Sequence, residues 1–190
     1  MKLGDTVSLK EMKARWALSE IRSPRLAPHY RLDPRVLSLS ARIGAAAFES
    51  LSGSDIDALV DVFATFRGNY LQHYLADVRT FAVEAWSADQ LGRVYVMSEA
   101  DPTGAGRFQT FSAYATGPRS TGPAATIDPR VAADKVPLST ALRTADPLVI
   151  GRYQDFAVLI DGYFRGLIFM RSASPAERIA VLVPAALAQV

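Results

Sequence analysis

Residues 147–184 read PLVIGRYQDFAVLIDGYFRGLIFMRSASPAERIAVLVP. Two apolar runs in this stretch, Ala157 to Ile160 and Ile179 to Val183, are short, rich in β-branched residues and bounded by turn formers, which is the pattern of buried strands. Pro147 to Ile150 supplies a third strand, with Gly151 to Asp155 as the turn between the first two. Between the apolar runs, Asp161-Gly162-Tyr163-Phe164-Arg165-Gly166 leads into Leu167 to Met170, expected to be a helix packed on the sheet. A glycine placed after a core strand and before a helix lets backbone N–H groups converge, and an anion can sit there.

Upstream, Val136-Pro137-Leu138 opens this unit and Ser139 precedes a short helix containing Ala141 and Leu142. The stretch before it is rich in Gly, Pro, Ser, Thr and Ala and reads as a flexible loop over 115–133. Arg93 to Met97 and Phe108 to Tyr114 alternate as strands, joined by a glycine-containing segment at 99–106. That segment lacks the Lys-Ser or Lys-Thr close of a phosphate-binding loop, so a hairpin connection is the expectation.

The first half has a helical period. Ser8 with Glu11 has capping-box spacing ahead of a helix running to about Ile21, and Pro24 and Pro28 end it. Val36 to Phe48 covers one broad apolar face, with Pro34 near its first turn and a break at 50–53. Ser54 with Asp57 starts a third helix, expected to stop at Gly68-Asn69. The next residues suit a helix to about Arg79, followed by an extended stretch in which Phe81, Val83 and Ala85 alternate. The expected fold class is therefore α+β, with a helical region over 1–86 and a small mixed β-sheet region over 87–190.

The 190 residues suffice for one substantial core. The absence of Cys excludes disulfides, thiol nucleophiles and thiolate metal sites and fits a reducing, cytoplasmic setting. Lys and Arg between 10 and 15 interrupt the start, so neither a signal peptide nor a membrane span is expected. The net charge of +2 implies no polyanion partner by itself, but it is uneven: residues 1–50 carry nine basic against five acidic groups, and residues 51–105 three against eight. This distribution suits an intramolecular match, a homo-oligomer or a phosphate backbone. Arg22, Arg25, His29, Arg31 and Arg35 form the basic strip, and no aromatic stacking register accompanies them.

The order strand, turn, strand, Asp-Gly-aromatic-aromatic-Arg, helix, loop, strand over roughly 136–184 resembles the ParB and sulfiredoxin-like superfamily, which includes bacterial chromosome-partition proteins and ParB-like nucleases. The resemblance rests on Pro147-Leu148-Val149-Ile150, the Phe156 to Ile160 strand, Asp161 to Arg165, and the Ile179 to Val183 strand. It implies a nucleotide as ligand, with or without Mg, at the turn and the following helix. Gly162 would allow close phosphate approach, Arg165 would be the phosphate-binding cation, and Tyr163 and Phe164 occupy the positions between. DNA association and a homo-oligomer are the partners it implies. The sulfiredoxin cysteine is missing, so sulfinic-acid reduction is not expected, and of the Glu-Arg-Arg of partition proteins only the final Arg is kept.

The residues themselves leave other roles open. Arg165 suits bidentate phosphate binding, or pairing with Asp161 or a backbone carbonyl to hold the turn closed. Asp161 could cap the helix, orient Arg165, or bind ribose or a metal. Tyr163 and Phe164 could stack on a base, with at least one of them in the core. Arg152 and Arg171 are further cations at element ends, suited to the same mouth or to a solvated rim. His73 sits among aromatics with no second ligand in the sequence around it. No paired carboxylates, helical His pair or nucleophile elbow is present. The expected function is a nucleotide- or polyphosphate-binding module. A noncatalytic interaction or scaffold domain and a metal-dependent nuclease or phosphohydrolase are the alternatives.

Overall fold

The structure is a computed structural model that describes residues 1–23, 27–98, 107–118, 129–139 and 146–187. The chain divides into two compact units, one of residues 7–72 and one of residues 1–6 with 73–190. Helices come first and a mixed β-sheet follows, an α+β architecture.

In the helical unit, α1 (Leu9–Arg22) starts at Ser8, whose hydroxyl accepts the Glu11 N–H at 3.1 Å. A short α2 (Ala27–Tyr30) leads to α3 (Pro34–Ile43), whose Asp33 cap accepts the Arg35 N–H at 2.9 Å. The sequence predicted that this helix would reach Phe48. It ends instead at Gly44, which turns the chain at φ +49°, and Phe48–Ser50 forms a separate 3₁₀ turn.

Helix α4 (Gly53–Leu75) corrects a second expectation, because it runs through Gly68-Asn69 and joins what looked like two helices. A helical glycine is unfavourable by about 1 kcal/mol. Leu71, Tyr74 and Leu75 beyond it are all buried, and that apolar area outweighs the glycine. Within the unit, Trp16 packs edge-on against Phe63 with ring centroids 5.4 Å apart. Glu20 is a buried carboxylate, and it accepts the Tyr30 hydroxyl and both Nε and Nη2 of Arg67, tying α1, α2 and α4 together.

The sheet contains, in chain order, β1 (Thr6–Ser8), β2 (Thr80–Trp86), β3 (Tyr95–Ser98), β4 (Arg107–Thr110), β5 (Leu148–Tyr153), β6 (Phe156–Asp161) and β7 (Ile179–Pro184). Their spatial order is β1-β2-β7-β5-β6-β3-β4. β7 runs antiparallel to β2 and parallel to β5, β5 and β6 form a hairpin, β6 is parallel to β3, and β3 and β4 are antiparallel. The alternation at Phe81 and Val83 is borne out, since both are buried in β2.

Helices α5 (Ala88–Gly92), α6 (Phe111–Thr116), α7 (Pro129–Ala133) and α8 (Tyr163–Ser172) belong to this unit. Leu91, Phe111, Leu167, Ile168 and Phe169 from these helices join Leu148, Ile150, Leu159 and Val181 from the strands in one core.

Three local expectations change here. The Phe108 to Tyr114 strand stops at Thr110, whose hydroxyl accepts the Ala113 N–H at 3.2 Å and so starts α6. The two ends of the expected 115–133 loop are helical, in α6 and α7. β5 continues through Gly151 and Arg152 to Tyr153, leaving a two-residue turn in which Gln154 takes φ +54°. The segment 99–106, the middle of the 115–133 loop and the helix containing Ala141 and Leu142 lie outside the described residues. Among the described residues, no helix is long and apolar enough to cross a membrane.

Candidate functional site

The Asp161-Gly162 turn lies where β6 ends and α8 begins. Asp161 closes β6 opposite Val149 of β5. Gly162 then takes φ +88°, a left-handed conformation that glycine adopts without steric strain. Space also selects glycine there, because a Cβ at this position would collide with Leu148 Cδ2 and lie 3.3 Å from Arg165 Nη2. Lacking a side chain, Gly162 gives α8 no side-chain cap. The positive end of the α8 dipole lies at this turn.

Arg165 projects from that first turn and folds back over the start of β5. Its guanidinium donates to the carbonyl oxygens of Asp146 and Pro147, the latter at 3.3 Å. No carboxylate pairs with it among the described residues. Arg15, Arg35, Arg42, Arg67, Arg93, Arg152 and Arg171 each have one within 4.0 Å. Arg165 is thus a half-buried cation held in place by neutral oxygens, with N–H donors to spare.

The two aromatics of the turn are partly buried and pack on the core. Tyr163 meets Phe111 and Tyr114 edge-on, at 6.1 and 6.2 Å between ring centroids. The Arg130 guanidinium lies 5.0 Å from the Tyr114 ring and donates to the Tyr114 carbonyl at 3.3 Å. Gly166, one turn along α8, lets Phe111 approach, since a Cβ there would stand 2.8 Å from Phe111 Cε1.

The structure thus brings Asp161, Gly162, Tyr163, Phe164 and Arg165 together and sets Arg152 apart. Arg152 lies at the other end of the β5–β6 hairpin, opposite Ala157, where its Nε donates to the Gln154 carbonyl at 2.8 Å. It lines a separate cleft of about 260 Å³ with His73, Asp77 and Asp155. Arg171 closes the far end of α8 onto the carbonyls of Ala133 and Val136 and onto Asp134. Among the described residues, no three His, Asp or Glu side chains gather to hold a metal.

Sequence reasoning missed the carbonyls of Asp146 and Pro147, which as backbone atoms leave no mark in residue types. It also missed the Phe111, Tyr114 and Arg130 wall. The one available signal was Thr110, a cap residue at the end of an apparent strand. No protein-family model, curated protein or solved structure matches the chain.

Proposed function

We propose that the sheet unit is a ParB/sulfiredoxin-like module that holds the phosphate of a nucleotide or polyphosphate at the Gly162 turn. The observation that supports this reading is Arg165. A partly buried guanidinium with no carboxylate partner among the described residues is electrostatically incomplete, and an anion beside it would gain charge-assisted bonds. The first turn of α8, to which Gly162 gives no side-chain cap, stands next to it, so side chain and helix terminus favour the same sign of ligand. Bonding to Asp146 and Pro147 fixes the guanidinium before the ligand arrives, which lowers the ordering entropy of binding. A role in DNA-associated biology, in the cytoplasm and as a homo-oligomer, is the wider proposal that goes with the resemblance.

The second reading is a noncatalytic scaffold. It is favoured by the same two carbonyl bonds, which fasten α8 to the start of β5 whether or not a ligand binds. Calorimetry with a nucleotide panel, with and without magnesium, separates the two. Magnesium is varied because phosphate oxygens, rather than a protein cage, would carry it. One nucleotide should bind the folded wild type, and Arg165→Ala should weaken it by about 2 kcal/mol while retaining the native circular dichroism. A folded wild type that binds no member of the panel overturns the nucleotide reading in favour of the scaffold.

A further inference from the structure

The cleft of about 260 Å³ at the turn of the β5–β6 hairpin lies within the sheet unit and shares no residue with the Gly162 turn. Arg152, Gln154 and Asp155 line it from the hairpin, and His73 and Asp77 line it from the last turn of α4 and the residues after it. All five are exposed. Among the described residues the lining holds two carboxylates against one guanidinium, so it is net negative with the imidazole counted neutral. It is smaller than the roughly 300 Å³ at which pockets for drug-sized ligands begin, which sets the scale of a small metabolite.

The hairpin wall carries the backbone outlier of the unit. Gln154 takes φ +54°, a conformation that residues other than glycine rarely adopt and that tends to be kept where a site needs it. In this conformation the Gln154 carbonyl accepts a hydrogen bond from Arg152 Nε at 2.8 Å. The guanidinium is thereby held through Nε, and its two Nη groups remain for a ligand, the fork that matches a carboxylate. Asp155 does not occupy that fork. Its side chain is 97% exposed and stands 3.7 Å from Nη2, beyond hydrogen-bond reach.

We propose that this cleft binds a free basic α-amino acid of the lysine type. One guanidinium and two carboxylates are the charge complement of a ligand with one carboxylate and two cations. The α-carboxylate would take the Arg152 fork, and the α-ammonium, on the same carbon, would meet Asp155 beside that guanidinium. The side-chain ammonium would reach Asp77 on the α4 wall, where the negative end of the helix dipole adds to the attraction. The two carboxylates oppose a nucleotide or any other polyanion, so the cleft and the Gly162 turn select ligands of opposite sign.

The test is calorimetry on the full chain with three probes: L-lysine, cadaverine, which lacks the carboxylate, and L-norleucine, which lacks the side-chain ammonium. L-lysine should bind with a Kd below about 1 mM, and each of the other two should bind more weakly by about tenfold or more. Arg152→Ala should weaken L-lysine by about tenfold or more without weakening cadaverine. Asp77→Asn should abolish the preference for L-lysine over L-norleucine. Asp155→Asn, at a side chain in open solvent, leaves the Arg152 bond to Gln154 intact and should weaken L-lysine in a protein with native circular dichroism. The proposal is overturned if L-lysine shows no saturable binding up to about 10 mM, or if cadaverine or L-norleucine binds as tightly. L-lysine binding that Arg152→Ala and Asp155→Asn leave unchanged also overturns it.

Discussion

Gly162 passes so close to Leu148 that no side chain fits between them, and it does so at φ +88°. Conformation and space therefore both act against substitution. Gly162→Ala should destabilise the sheet unit by about 3 kcal/mol, combining left-handed strain with overpacking. The chain has two tryptophans, Trp16 in the helical unit and Trp86 in the sheet unit, so urea unfolding in a Trp16→Phe background reports the sheet unit by fluorescence. An unchanged Trp86 transition would mean that the turn can relax away from Leu148.

The carboxylate of Glu20 is buried and has two partners, Tyr30 and Arg67. Arg67→Met leaves the charge with only the phenol, and a loss of about 3 kcal/mol in the Trp16-reported transition is expected. Tyr30→Phe removes one hydrogen bond and should lose about 1 kcal/mol.

Tyr30 also predicts an alkaline limit. Burial first, then the bond to Glu20 and the Glu20 charge, push its pKa well above the ordinary 10.0. The folded state keeps a proton that the unfolded chain releases, so the contribution is complete below pH 10.0 and is lost as pH rises beyond it. Wild type should lose stability in that range more steeply than Tyr30→Phe, measured as urea midpoint against pH.

At the acid end the sign reverses. Bonds from Arg35 hold the Asp33 carboxyl below the usual carboxylate range, and bonds from Ser52 and then Arg42 do the same for Asp55. Their contribution is present above an unfolded pKa of about 4 and disappears as pH falls through the lowered folded values. The protection factors of the α3 amides against hydrogen exchange should fall in that window. Asp33→Asn, which keeps a capping oxygen without the charge, should flatten the response.

Gly68 lies inside α4, and a Cβ there would meet nothing within 4 Å. Gly68→Ala should stabilise the helical unit by about 1 kcal/mol. A lower urea midpoint would show that the glycine has a task beyond the helix.

How far the sequence reveals the fold follows from the range of the forces involved. The β5–β6 hairpin, the Asp161-Gly162 turn, α8 and β7 were readable because each is set by local periodicity and turn chemistry within one contiguous stretch. The passage of α4 through Gly68 was not, since it depends on burying Leu71, Tyr74 and Leu75 in tertiary structure. α6 was mistaken for strand because Phe111 and Ala113 continue the alternation of β4, and only the Thr110 cap marks the change. In the candidate site, the turn residues and Arg165 were legible by type. The partners of Arg165 were not, because carbonyl oxygens are common to every residue.

The position of β7 bears on how the protein is made. β7 lies between β2 and β5 in the sheet, yet it is the last of these strands to be synthesised. Until Ile179–Pro184 has left the ribosome, β2 has no partner on that side and β5 exposes an unpaired edge. The sheet can therefore close only once β7 has emerged. A message cut short before Ile179 would yield a chain with two open strand edges, a substrate for chaperones and proteases rather than a smaller folded protein.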